Sequence, residues 1–123
     1  MNKSIWYHIK RRILSFKYAF NGLFFIIKTQ TNMLIHIAAS IIVVAAGFYF
    51  KINQNQWLAI ILSIALVFIA EIVNTAIEEI VNLISPDFNK KAGLIKDIGA
   101  AFVLIAAIFA IIIGSIIFFP KIF

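Results

Sequence analysis

The stretch AEIVNTAIEEIVN, residues 70–82, decides how the chain is read. It holds three glutamates and two asparagines, and it continues without a break from WLAIILSIALVFIA, residues 57–70. A helix that is lipid-soluble along one half and acidic along the other belongs at a membrane boundary, its polar half at the headgroups. At helical spacing Glu71, Asn74, Thr75, Glu78 and Asn82 share one stripe, with Glu79 on its edge.

That stripe carries a physical problem. A carboxylate near hydrocarbon costs roughly 2.5–3.5 kcal/mol at mid-membrane, and two on one face repel each other. A cation between them relieves both costs, and Mg²⁺ is a hard ion that takes oxygen ligands. A carboxylate held at this level also suits a general base. The bland alternative is a polar contact between helices, since Asn, Thr and Glu join helices by hydrogen bonds. Spacing alone leaves both readings open.

Composition supports the membrane. Of 123 residues, 63% are hydrophobic, and the mean hydropathy is +1.04. Soluble domains sit nearer about 45–50% apolar. There is no cysteine, which excludes disulfides and thiol chemistry. The two histidines are isolated, which argues against zinc. Three apolar stretches follow in order. Met33–Phe50 spans about 27 Å as a helix, Trp57–Ala70 about 21 Å, and Ile98–Phe119 about 33 Å. The first and third match a hydrocarbon core of about 30 Å. The second matches only with its polar continuation. The expected architecture is all-α and integral to the membrane, in one domain: a surface helix at about 3–29, then spans at 33–50, 57–84 and 97–119.

The N-terminal arm is basic. Six Lys and Arg lie between Lys3 and Lys28 with no acid among them. Ile5, Trp6, Ile9, Ile13, Phe16, Phe20, Leu23, Phe24 and Ile27 fall on one helical face, and Lys3, Lys10, Lys17 and Lys28 flank it. This is the pattern of an amphipathic helix lying on anionic lipid; a surface helix packed on protein is the alternative. The positive-inside rule puts the arm and the loop SPDFNKKAGLIKD in the cytoplasm, and KINQNQ and the C-terminus outside. Glu71, Asn74, Glu78 and Asn82 then collect at the cytoplasmic boundary, level with Gln30, Asn32, Lys96 and Asp97.

Lys96-Asp97 is expected to open the last span. Lys96 suits a phosphate or simply snorkels to the interface. Asp97 suits a ribose, a metal or an N-cap. No GxxxxGK[ST] or GxGxxG occurs, so a nucleotide site here is neither a P-loop nor a protein-kinase fold. A channel would need polar residues through the membrane's depth, and the first and last spans have almost none.

Glu71-Ile-Val-Asn74-Thr75-Ala76-Ile-Glu78, with SFKYAFNGL at 15–23, Asn32-x-x-x-His36, ISPDF at 84–88 and AGLIKDIGAAFVLIAAI at 92–108, resembles the small prokaryotic membrane lipid kinases, the diacylglycerol and undecaprenol kinases. The resemblance covers nearly the whole chain. It implies a surface helix and three spans assembled as a homotrimer in the bacterial inner membrane. Active sites would lie at the cytoplasmic interface and be shared between subunits. It implies ATP as co-substrate, Mg²⁺, and a membrane lipid alcohol as acceptor. By the same resemblance Glu71 is the general base, Glu78 a metal ligand and Asn74 a site asparagine. Lys96, Asp97, Arg11, Tyr18 and Gly93 correspond to nucleotide contacts. Two positions depart from the family's pattern. A second metal-binding glutamate is Gln30 here, and the motif's closing aspartate is Asn82. These departures leave a second reading: an impaired member that binds nucleotide or lipid, or serves as a scaffold. The acceptor stays open between diacylglycerol and undecaprenol, with the SFKYAFNGL and SPD segments closer to the undecaprenol branch.

Overall fold

The structure, a computed structural model, describes residues 3–123. Its described residues form four helices: α1 Lys3–Thr29, α2 Thr31–Tyr49, α3 Gln54–Ile84 and α4 Lys90–Ile122. The last three are each long and apolar enough to cross a membrane. The chain divides after Thr31 into two compact units. The first is α1, 27 residues and about 40 Å long. It carries Trp6, Phe16 and Phe24 exposed.

In the second unit α3 and α4 pack along each other. The buried residues of α3 run Ile60, Ser63, Val67, Ala70, Glu71, Asn74, Thr75 and Val81. Their spacing of three and four traces one stripe that is mostly apolar up to Ala70 and polar from Glu71 to Thr75. The acidic stretch therefore turns its Glu71–Thr75 face toward protein. The apolar residues on the other faces, such as Leu62, Leu66 and Ile69, stay exposed for lipid or further protein.

Caps, more than apolarity, set the helix ends. Asn53 caps α3: its side chain accepts from the Gln56 N–H at 2.9 Å, and the Gln56 side chain accepts from the Asn53 N–H at 3.0 Å. This reciprocal box starts α3 at Gln54, ahead of the apolar run at Trp57. Asn89 caps α4 through the Lys91 and Ala92 N–H groups. The helix therefore begins at Lys90 rather than at the expected position 97, and Lys96 and Asp97 stand inside it. Asp97 is not an N-cap. Pro86 lies in the connecting loop and does not open a helix.

At the opposite end α2 closes on Lys51, whose φ of 51° is left-handed. Ile52 N–H donates to Gly47 O and Lys51 N–H to Phe48 O, the double bond of a Schellman ending. This turn drives Ile52 into a cluster with Ile60 and Ile117, ringed by Trp57, Phe50 and Phe118. Gly47 has no room for a side chain. A Cβ there would stand 2.7 Å from Trp57 Cη2 and 3.2 Å from Ile52 Cδ1. Gly47→Ala is expected to destabilise the fold by about 1–3 kcal/mol through overpacking. Thermal unfolding in detergent should show a clearly lowered Tm; an unchanged Tm would mean that the corner yields freely.

Candidate active site at the polar end of α3

Glu71 is the most buried side chain among the described residues, 2% exposed, and it lies one residue past the apolar half of α3. A lone carboxylate there is strongly unfavourable, so it needs a partner. His36 of α2 supplies one: its Nε2 lies 3.0 Å from Glu71 Oε1. His36 itself is 21% exposed. Among the described residues this is the one close acid–base pair. One turn on, Thr75 Oγ–H donates to the Glu71 carbonyl at 2.9 Å, satisfying its hydroxyl within the helix.

Asn74 is buried beside this pair. Its Nδ2 donates to Glu78 Oε1 at a long 3.4 Å. Its Oδ1 is the one buried side-chain polar atom without a partner among the described residues. That oxygen lies against Gly99 of α4, where a Cβ would stand only 2.7 Å away. Gly99 thus sets how closely α4 approaches the site. Glu78 is half-buried and Glu79 exposed. The stripe therefore grades from a buried, paired carboxylate at Glu71 to a more accessible one two turns closer to the loop.

Across the loop, Lys96 Nζ donates to Asn82 Oδ1 at 2.6 Å. A neutral amide holds the ammonium, and no carboxylate among the described residues forms an ion pair with it. Asn82 thus fixes the lysine and leaves its charge uncompensated. Asp97 is exposed beside it, and Gly93 lies one helical turn earlier on Asp97's side of α4. Arg11, Tyr18 and Gln30 belong to the first unit. Arg11 lies over the Tyr7 ring at 5.7 Å, Tyr18 is exposed, and Gln30 follows α1 with its N–H bonded to Ile26 O at 2.9 Å.

An apolar cavity of about 440 Å³ opens between α2, α3 and α4. His36, Ser40, Ser63 and Ser115 give its wall the few polar groups it has, and His36 is its one titratable residue. Glu71 is not part of that wall. The sequence reading placed His36 in a motif without giving it a role. The available signal was an imidazole four residues into an apolar span, which is costly unless it has a partner.

Carboxylates and a lysine held by a neutral amide stand at the polar ends of helices long and apolar enough to cross a membrane, the level at which lipid headgroups lie. Prokaryotic diacylglycerol kinase is the family that matches, over residues 17–118, and the chain belongs to it and is a lipid kinase. It is 35% identical over 113 residues to an undecaprenol kinase of Bacillus subtilis, covering 92% of each chain. It is 31% identical over 121 residues to a diacylglycerol kinase of Synechocystis, covering 98% of this chain and 69% of that one. A 74-residue segment is 36% identical to a diacylglycerol kinase of Escherichia coli, covering 60% and 61%.

Proposed function

We propose that the chain transfers the γ-phosphate of ATP to the hydroxyl of a membrane lipid alcohol, undecaprenol or diacylglycerol, in a reaction that requires Mg²⁺. The observation that carries this is the graded stripe on α3. A buried carboxylate paired with His36 and a half-buried one at Glu78 share one face, where an apolar helix turns polar. A lipid hydroxyl rests at that level and ATP reaches it only from water, so the two meet nowhere else. The match to the Bacillus undecaprenol kinase over nearly all of both chains favours undecaprenol.

Glu71 is the carboxylate that handles the hydroxyl proton. Lys96 draws the nucleotide's phosphates, with Asp97, Gly93 and Asn74 completing the nucleotide site and Arg11 and Tyr18 contributing from α1. Thr75 and Asn82 support the stripe. Phosphoryl transfer asks for positioning and charge neutralisation more than for covalent chemistry, and this set offers both. The donor chemistry also suits magnesium. Glu78 offers a carboxylate engaged by one long hydrogen bond, and Gln30 offers a carbonyl oxygen. No group of three or more acidic, His or Cys ligands occurs among the described residues. Magnesium commonly takes one or two carboxylates and fills its remaining positions with waters and phosphates. Bound there, it would neutralise phosphate charge. The assembly is a homotrimer in the bacterial inner membrane, with the N-terminus in the cytoplasm and the C-terminus outside.

The metal requirement has a direct test. Lipid phosphorylation should vanish on chelation and return with added Mg²⁺. Gln30→Glu should lower the half-saturating Mg²⁺ about tenfold, the effect of one added carboxylate ligand worth about 1.4 kcal/mol. An unchanged Mg²⁺ requirement in that variant would remove residue 30 from the metal site. Activity that survives chelation would remove the metal itself.

A further inference from the structure

A general base works only if its carboxylate is held within hydrogen-bond reach of the proton it takes. The last torsion of a glutamate side chain is broad, so something outside the residue must hold it. Around Glu71 the choices are few. Thr75 Oγ–H is engaged by the Glu71 carbonyl, and Asn74 Nδ2 by Glu78 Oε1. Among the described residues only the His36 ring, with Nε2 3.0 Å from Oε1, holds the carboxylate. Oε2 makes no hydrogen bond there, yet it is not sealed, because the one buried side-chain polar atom without a partner is Asn74 Oδ1. Some of the 2% of the Glu71 side chain that stays exposed therefore belongs to Oε2. One carboxylate oxygen is held and the other is open.

His36 comes to this contact on a docked helix. Met33, His36, Ser40 and Gly47 follow one another at three, four and seven residues, so they share one face of α2. Met33 and Gly47 on that face are buried, and Gly47 lies against Trp57 of α3. The Ser40 hydroxyl donates to the His36 carbonyl at 2.7 Å and leaves the ring to Glu71.

We propose that His36 is a positioning residue for this reaction: it holds Glu71 Oε1 and so aims Oε2, the oxygen that takes the lipid hydroxyl's proton. This rests on the lipid-kinase reading, with Glu71 as the base, and adds the group that orients it. In the step, the lipid O–H bond breaks and its proton goes to Oε2. The lipid oxygen bonds the γ-phosphorus, the bond from that phosphorus to the bridging oxygen breaks, and the nucleoside diphosphate leaves with the electron pair. The ring takes no proton from the substrate. It orients the carboxylate whichever partner carries the hydrogen between them.

His36→Leu removes the hold. The expected result is a loss of kcat on the order of 10²-fold, the cost of about 1 Å of misplacement, with the KM for ATP nearly unchanged. Retention of kcat within about threefold would overturn the proposal. His36→Gln keeps an amide that reaches Oε1 but has no basic ring atom, so it should restore kcat to within about tenfold of the wild type. A loss as large as that of His36→Leu would overturn the proposal, because orientation would then not be what the ring supplies. This variant also decides the matter if His36→Leu, which leaves a buried carboxylate without its partner, fails to fold. A third measurement separates positioning from a general structural role. Added to Glu71→Gln, His36→Leu should lower the remaining kcat by less than about threefold, since no base is left to aim. The full loss repeated in that background would overturn the proposal. A wild type that phosphorylates neither undecaprenol nor diacylglycerol would count instead against the kinase reading on which the proposal rests.

Discussion

Glu71→Gln is expected to lower kcat by about 10³-fold while the protein stays folded. The substitution is isosteric, and a Gln amide offers both a donor and an acceptor to His36 Nε2, so the 3.0 Å contact survives. What disappears is a negative charge held in a nearly dry place, where charges act over short distances with little screening. If Glu71 takes the proton itself, Gln has no basic oxygen to do so. The chemical step is lost while nucleotide affinity changes little. A kcat within tenfold of the wild type would show that the carboxylate's charge is structural only. A protein that fails to fold would be unexpected, because a neutral buried amide is easier to accommodate than a buried ion.

Gly99→Ala carries the second largest expected effect. The new Cβ would meet Asn74 Oδ1 at 2.7 Å and Ile77 Cγ2 at 3.3 Å. The nearer contact is too close to persist, and Asn74 is held by a short side chain that also reaches Glu78. Either Asn74 turns away from Glu78 or α4 moves off α3. The expected result is a loss of activity of about ten- to hundredfold, with about 1–3 kcal/mol of stability lost to overpacking. The cause can be isolated by a cycle with Asn74→Ala. Once Asn74 is shortened, the methyl group added at position 99 has space, so the second substitution should add little to the first. Strictly additive losses would mean that Gly99 acts through some contact other than Asn74.

Much of this arrangement was legible before any coordinates. Glu71, Asn74, Thr75 and Glu78 recur at three and four residues, and such a period puts them on one face whatever surrounds the helix. Three spans and a basic amphipathic arm follow from composition in the same way. Helix starts were less legible, for a definite reason. Apolar length measures what fits in hydrocarbon, whereas a helix begins where a side chain satisfies its first N–H groups. Asn53 and Asn89 do this outside the apolar runs, so α3 and α4 extend beyond them.

Contacts between helices were the least legible. The His36–Glu71 pair joins residues 35 apart, and no periodicity links positions on separate elements. The Asn82–Lys96 bond is of the same kind. It also gives the Asn82 departure a physical meaning: an amide at this position holds Lys96 without cancelling its charge. The parts proposed for Arg11, Tyr18 and Gln30 rest on family resemblance, since these residues belong to the separate α1 unit.

The most direct test of the central claim is phosphate transfer from γ-labelled ATP, with Mg²⁺, to undecaprenol and to diacylglycerol in mixed micelles, with the Glu71→Gln protein alongside. The account predicts labelled lipid phosphate from the wild type, with undecaprenol preferred, and almost none from the variant. Label on neither lipid, from a folded wild type that binds ATP, would contradict it.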